Sequence, residues 1–577
     1  MKDLAYFQMR AYLYPREIKQ TVSFKLKELE QVWYCNQKNV KIKIRKFEED
    51  GRCIYHPGRG RGNPSCINFK NPLQQEIEQA VLTCIEHDQI ERIFQLLQLP
   101  IPNSWIANVS KEVKKLFGLQ SANQSKEVLR LAVEKRIVTL DPQSSAIDFE
   151  NYLIQQLGST LVTYDQQADT INPHIAHRWK VDNDYRTWTF YLRKGVQFHH
   201  QRNLNSGDVK YTIERLKDRT SSLNWIVQDI QMIECVSPFI VRIQLAQSNP
   251  LFIRYISSIP FSILPEDEPF DENKWIGTGP FQLKKRTDTM IVLEAFDQYF
   301  LARPLIDEIE FYLLPSESNL TMTIQIKGEE KEESTIRKED MITGFRFLAF
   351  NLRRSSIVLQ HSFRLALFHL LDMKQMWKDL GRENLIEASS YFPWKSHPDS
   401  KDKKLVKSLL KKSGYQGEAI TLYTRDTRDE REQAQWFMKA AATEGIHLKC
   451  IYFHMDDFYS ATIDQEADLL FAGEVTSDDF HLSFLDSFYN KSNVFQRFID
   501  RKNLHYIENY LERVKYEPNY KKREAWIDKV EQYLRNEHLI VYRYHPVIHR
   551  KFHHLIQDTR FEAFGYDDFR KSWIEKE

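Results

Sequence analysis

Asn36-Gln-Lys-Asn-Val-Lys-Ile-Lys-Ile-Arg-Lys-Phe-Glu-Glu-Asp-Gly51 decides the reading of the N-terminal part of the chain. Val40, Ile44 and Phe47 recur at i, i+4 and i+7, one apolar stripe of a helix over 37–49. Asn36 supplies an N-cap oxygen, and Gly51 a stop. The stripe needs burial, so the opposite face meets solvent. That face carries Lys38, Lys41, Ile42 and Arg45, flanked by Asn39 and Lys46.

Upstream, residues 4–13 and 24–33 also have helical apolar spacing, with Leu26, Leu29 and Trp33 on one face. Downstream, Arg52–Tyr55 and Ser65–Phe69 read as strands around the turn His56–Pro64. Arg59 and Arg61 alternate with three glycines at its tip. Helix, helix, helix and basic hairpin predict a winged helix-turn-helix, mostly α with a β-hairpin wing. Helix 37–49 would lie in the major groove of double-stranded DNA. There Lys38, Asn39, Lys41, Arg45 and Lys46 would reach bases or phosphates, and Ile42 a thymine methyl. Arg59 and Arg61 would grip the backbone alongside. The alternative is a winged helix that makes protein contacts. RNA is disfavoured, because the segment lacks aromatic stacking platforms.

Charge supports this division. Residues 1–70 hold nine Lys and six Arg against two Asp and five Glu, an excess of eight positive charges. The whole chain carries +1, so the remainder is acidic. Residues 71–126 read as a helical connector: Gln75–Leu97 is helix-compatible, Leu99-Pro-Ile-Pro-Asn-Ser104 breaks it, and Gln120–Ser125 is a polar linker.

The 577 residues are 42% apolar and 28% charged, a globular balance that excludes a disordered chain. No stretch approaches the ~18 uninterrupted apolar residues of a membrane span, so no membrane insertion is expected. The start lacks an apolar core of roughly 7–15 residues, a cleavage site and a lipoprotein cysteine, so a cytosolic location is expected. Six cysteines are too few for a disulfide framework, and Cys35, Cys53, Cys66 and Cys84 lack zinc-knuckle spacing. His199-His200 and His553-His554 are adjacent pairs that point apart in a strand, so no metal is expected. No nucleophile elbow or glycine-rich phosphate loop appears, and neither catalysis nor a cofactor is expected.

From Glu127 the texture changes. Val128–Val133, Trp188–Arg193 and Ile240–Leu245 read as strands, as do Ala419–Tyr423 and Leu448–Tyr452. His361–Trp377 and Glu430–Glu444 read as helices. About 450 residues of mixed α/β texture exceed one core. Leu161-Val-Thr-Tyr-Asp165, Ile171–Trp179, Trp188–His199 and Asn205-Ser-Gly-Asp-Val209 follow in order, then Gly277-Thr-Gly-Pro-Phe281, Phe363–Leu367 with Asp372, and Leu405–Tyr415. This run resembles family 5 bacterial solute-binding proteins, the oligopeptide- and dipeptide-binding type. Together with the head, the chain resembles the SgrR-type bacterial transcription regulators. The resemblance implies an α/β two-lobed, periplasmic-binding-protein-like domain over 127–577. Lobe I would span about 127–345 plus 545–577, and lobe II about 346–544.

The resemblance also implies ligand positions. Where peptide binders carry a Tyr-Glu pair, this chain has Gly158-Ser159. Where they carry Trp before an acidic stretch that grips the peptide's amino end, it has Glu474, followed by Asp478 and Asp479. Ser159, Glu474, Asp478 and Asp479 are the candidate ligand residues. The solute would be a peptide, a sugar or a sugar phosphate. The resulting expectation is a cytosolic, ligand-responsive DNA-binding regulator, acting as a homodimer or at multiple sites. The alternative is a solute-binding protein whose head makes protein contacts.

Overall fold

The computed structural model describes residues 2–58, 63–87, 89–102, 105, 118–122, 126–133, 137–145, 147–166, 168–217, 222–313, 323–324, 335–341, 344–477, 479–553, 556–558 and 568–575. The head runs α1 (Lys2–Leu13), β1 (Thr21–Phe24), α2 (Leu26–Trp33), α3 (Gln37–Glu49), β2 (Cys53–His56) and β3 (Ser65–Phe69). Helix α3 has the expected bounds. The Asn36 side chain accepts from the Asn39 N–H at 3.0 Å, and Val40, Ile44 and Phe47 are buried. Gly51 leaves the helix with φ +73°.

One element departs from the sequence reading. Thr21–Phe24 is a strand, not the start of a helix, and it pairs antiparallel with β3. The wing is therefore a three-stranded sheet of order β1-β3-β2. Val22 and Phe24 alternate inward, a period-2 signal too short to stand out beside the helical spacing that follows.

Residues 73–97 form two helices, α4 (Leu73–Glu86) and α5 (Ile90–Leu97), and both pack into the same apolar core as α1–α3. The buried guanidinium of Arg10 ties these parts together. It donates to Glu76 at 2.6 Å and to the Asn71 carbonyl at 2.5 Å, reaches Glu17 at 3.2 Å, and lies over the Phe69 ring.

Next come β4 (Gly118–Ala122) and β5 (Lys126–Val133), the edge of a five-stranded sheet with Phe281–Arg286, Met290–Ala295 and Glu308–Leu313. Gln120–Ala122, read as part of a linker, is thus an edge strand paired to β5. An edge strand needs no apolar alternation, so its polar sequence concealed it. Alternation decides what each face of this sheet meets. Leu129, Leu131, Ile291, Leu293, Ile309 and Phe311 face a core shared with helix Asp148–Leu157. Ala132, Met290, Val292 and Tyr312 face the other way, into the core of the head. Phe94 of α5 stacks on Tyr312 with centroids 5.0 Å apart, and Glu91 pairs with Lys285 at 2.6 Å. Gln98 donates to the Leu313 carbonyl at 3.3 Å. The head is thus mounted on the back of lobe I's sheet.

Lobe I also holds a four-stranded antiparallel sheet built from residues 176–245. Lobe II holds a mixed six-stranded sheet with Gly344–Phe350 near its centre. Strands Thr335–Met341 and Val547–His553, which border lobe II in the chain, pair antiparallel with each other.

Arg10→Ala would leave Glu76 and Glu17 facing one another without their shared cation. We expect a loss of about 3–5 kcal/mol in the stability of the head. Thermal unfolding followed by tryptophan fluorescence checks it, and an unchanged midpoint would refute the tethering role.

Candidate solute cleft and DNA-binding face

Two surfaces carry chemistry. The first is the solvent face of α3. Lys38, Asn39, Lys41, Ile42 and Arg45 are exposed, while Lys46 is half-buried on the flank. Ile42 is 56% exposed, an aliphatic side chain with nothing to cover it in the free protein. Tyr34, in the turn before α3, is left-handed (φ 47°) and 95% exposed. No expectation from the sequence gave the ring a role. Its signal was an aromatic between two helices with no place on either stripe. Arg59 and Arg61 lie outside the described residues.

The second is a cleft of about 970 Å³ between the lobes. Lobe I lines it with helix Asp148–Leu157, Ser159, Thr160, Tyr164, His174 and Trp225; lobe II lines it with Arg346, Arg425, Gly473, Glu474, Asp479 and Asp486. Three of the four residues assigned from sequence fall here, and Asp478 lies outside the described residues.

Ser159 is buried, and its hydroxyl donates to the Thr278 carbonyl at 3.1 Å. Glu474 accepts from the Ser487 hydroxyl at 2.8 Å. Burial pushes its carboxyl up to about 8, so it is protonated at neutral pH and is itself a donor. Asp486 beside it accepts from the Trp225 indole at 3.1 Å and from Asn490 and Asn493, each at 3.2 Å; burial raises its pKa too. The Trp225–Asp486 bond runs from one lobe to the other.

Asp479 does not offer a free carboxylate. It caps helix Phe480–Tyr489 by accepting from the Leu482 N–H, and both its oxygens take the buried guanidinium of Arg254 from lobe I. Arg254 also lies 4.2 Å over the Tyr164 ring. This is a desolvated ion pair that latches lobe to lobe. Sequence reasoning missed Arg254, Trp225, Arg346 and Arg425. Only Arg346 left a signal, a charge inside the apolar run Gly344-Phe-Arg-Phe-Leu-Ala-Phe350. Among the described residues, no group of His, Cys, Asp or Glu is arranged to hold a metal ion.

The chain joins a winged-helix head to a two-lobed α/β domain with a cleft at the lobe junction. The profile of bacterial extracellular solute-binding proteins, family 5, matches residues 170–496, and that of the sugar transport-related sRNA regulator N-terminal domain matches residues 4–117. The chain belongs to the family 5 solute-binding proteins, with the domain order of SgrR-type regulators. It is 29% identical over 497 residues to the uncharacterized protein YhjP of Bacillus subtilis, covering 83% of each chain. It is 26% identical over 342 residues to the HTH-type transcriptional regulator SgrR of Pectobacterium atrosepticum, covering 58% of this chain and 59% of that protein. Its fold superposes on the dipeptide-binding protein of Pseudoalteromonas sp. SM9913 in complex with Met-Leu with a TM-score of 0.66 at 18% identity, over 78% of this chain and 100% of that one.

Glu474 sets a pH dependence. Its ordinary pKa is 4.5, and its folded value is about 8. Between those values the folded chain holds a proton that the unfolded chain has released. Stability therefore falls as pH rises through that window and levels off above it. Glu474→Gln removes this dependence. Its melting temperature is expected to gain on that of the unaltered protein from pH 5 to pH 8 and to run parallel beyond; parallel curves throughout would disprove the assignment.

Proposed function

We propose that the chain is a cytosolic transcription regulator, without catalytic activity, that binds double-stranded DNA through α3 and the wing. A small solute held between the lobes adjusts that binding. The observation that carries this reading is the mounting of the head. Helix α5 stacks through Phe94 on Tyr312, in the sheet whose other face packs on helix Asp148–Leu157, a wall of the cleft. One sheet lies between the helix that walls the cleft and the head. Hinge closure of the lobes then re-aims or pairs the heads; a coupling of about 1–3 kcal/mol changes DNA affinity roughly 5–150-fold. The named regulator relatives and the matched N-terminal profile support the DNA-binding assignment. Among the described residues, no helix is long and apolar enough to cross a membrane.

A peptide is the less favoured solute. The acidic residue that the family resemblance gives to a peptide's amino end, Asp479, is already neutralised by Arg254. One winged helix has a small footprint, so a homodimer or paired sites are part of the proposal.

The competing reading makes the head a protein-contact module, and salt separates the two. DNA binding by the full chain should weaken steeply as salt rises, through release of counterions. Lys41→Ala with Arg45→Ala should lower affinity by about 1–3 kcal/mol if the pair touches bases, and should flatten the salt slope where it touches phosphate. A chain with no affinity for duplex DNA at low salt would sink the proposal.

A further inference from the structure

The turn between α2 and α3 holds Tyr34 in left-handed backbone (φ 47°, ψ 47°). The N–H groups of Tyr34 and Cys35 both donate to the Glu30 carbonyl and close α2. That turn needs the conformation, and glycine or asparagine adopts it at the least cost. Tyrosine is a strained choice. Among the described residues, three aromatic side chains stand on backbone of positive φ: Tyr34, Tyr185 and His538. Two of the three rings pack. Tyr185 lies 6.4 Å from the Trp188 ring and against the core, and His538 meets Phe368 at 4.9 Å. Tyr34 is 95% exposed and makes no hydrogen bond or ring contact with another described residue. Packing gives its strain no return.

The surroundings name a partner. Residues 31–47 hold five cations and no acid. Asn36 caps α3 two residues beyond Tyr34, and Lys38, Lys41 and Arg45 are exposed along the helix that follows. A phenol beside such a face suits a polyanion, because its hydroxyl donates to phosphate oxygens. The ring turns about two bonds only, so holding it on a surface costs little conformational freedom. A protein partner fits less well. Aromatic anchors of protein interfaces sit in apolar centres depleted of charge, and Tyr34 borders a row of cations.

We propose that Tyr34 is a further DNA contact of the head, its hydroxyl donating to a backbone phosphate beside the groove that α3 enters. The contact is blind to sequence and sets how α3 sits on the duplex. This inference rests on the reading of α3 as the DNA reader and adds a residue outside the helix and the wing.

The test measures fluorescence anisotropy of a labelled random-sequence duplex with the full chain over a salt series. A hydroxyl displaces no counterion, so a phosphate contact of this kind affects affinity and leaves the salt slope alone. Tyr34→Phe should lower affinity about tenfold, the loss of one hydrogen bond to a charged acceptor, with a slope parallel to that of the unaltered chain. Lys41→Ala with Arg45→Ala, in the same assay, should flatten the slope wherever those cations touch phosphate. Tyr34→Asn should lower affinity at least as far as Tyr34→Phe and yet melt no lower than the unaltered protein, because asparagine tolerates the left-handed turn. Loss of affinity without loss of stability is what a structural tyrosine would not give.

If the unaltered chain binds the duplex and Tyr34→Phe binds it equally well, this inference fails and the DNA-binding reading stands. If the unaltered chain has no affinity for the duplex at low salt, both fail together. A Tyr34→Asn variant that melts well below the unaltered protein also overturns the inference, by making the ring structural. So does one that keeps full DNA affinity but changes the sedimentation mass, by assigning the ring to a protein contact.

Discussion

The five-stranded sheet of lobe I has to be dry on both sides, and the arrangement of the molecule follows from that. Ile291, Leu293, Ile309 and Phe311 point one way; Met290, Val292 and Tyr312 point the other. A strand's side chains alternate, so a sheet with apolar side chains on both faces demands a cover on each face. Helix Asp148–Leu157 is one cover and the DNA-binding head is the other. The head is therefore part of the lobe's packing. Phe94 of α5 and Tyr312 stack across the boundary and join the head to this sheet.

The cleft shows two opposite treatments of buried charge. On one side Arg254 and Asp479 neutralise each other completely and join the lobes. On the other, Arg425 and Arg543 lean on the buried carboxylate of Glu430, and the Glu474 carboxyl is kept neutral by burial. A desolvated pair with good geometry holds a structure together at little net gain in free energy, whereas a buried carboxyl without a counter-charge keeps its proton instead.

Much of the head was legible in its sequence. Asn36, the stripe of Val40, Ile44 and Phe47, and Gly51 define α3 from contacts within the helix and one turn beyond. Strand β1 was hidden because four residues give too short a period to compete with the helix that follows. Strand β4 was hidden because its identity comes from pairing with β5, not from its own pattern. Ser159, Glu474 and Asp479 line the cleft, and the family's landmarks bracket them along the chain. Their states were not legible: Glu474 is neutral through burial, and Asp479 is spent on a partner 225 residues away.

The sequence by itself determined what depends on neighbours in the chain: the cationic face of α3, the alternation of the strands, the order of the two modules. Tertiary structure alone decided which charges cancel. Arg346, Arg425, Glu430 and Arg543 come from three separate stretches and meet only when strands and helices of lobe II assemble. Electrostatic balance depends on distance in space and on the loss of water around each group, and neither is written in the spacing of residues along a chain.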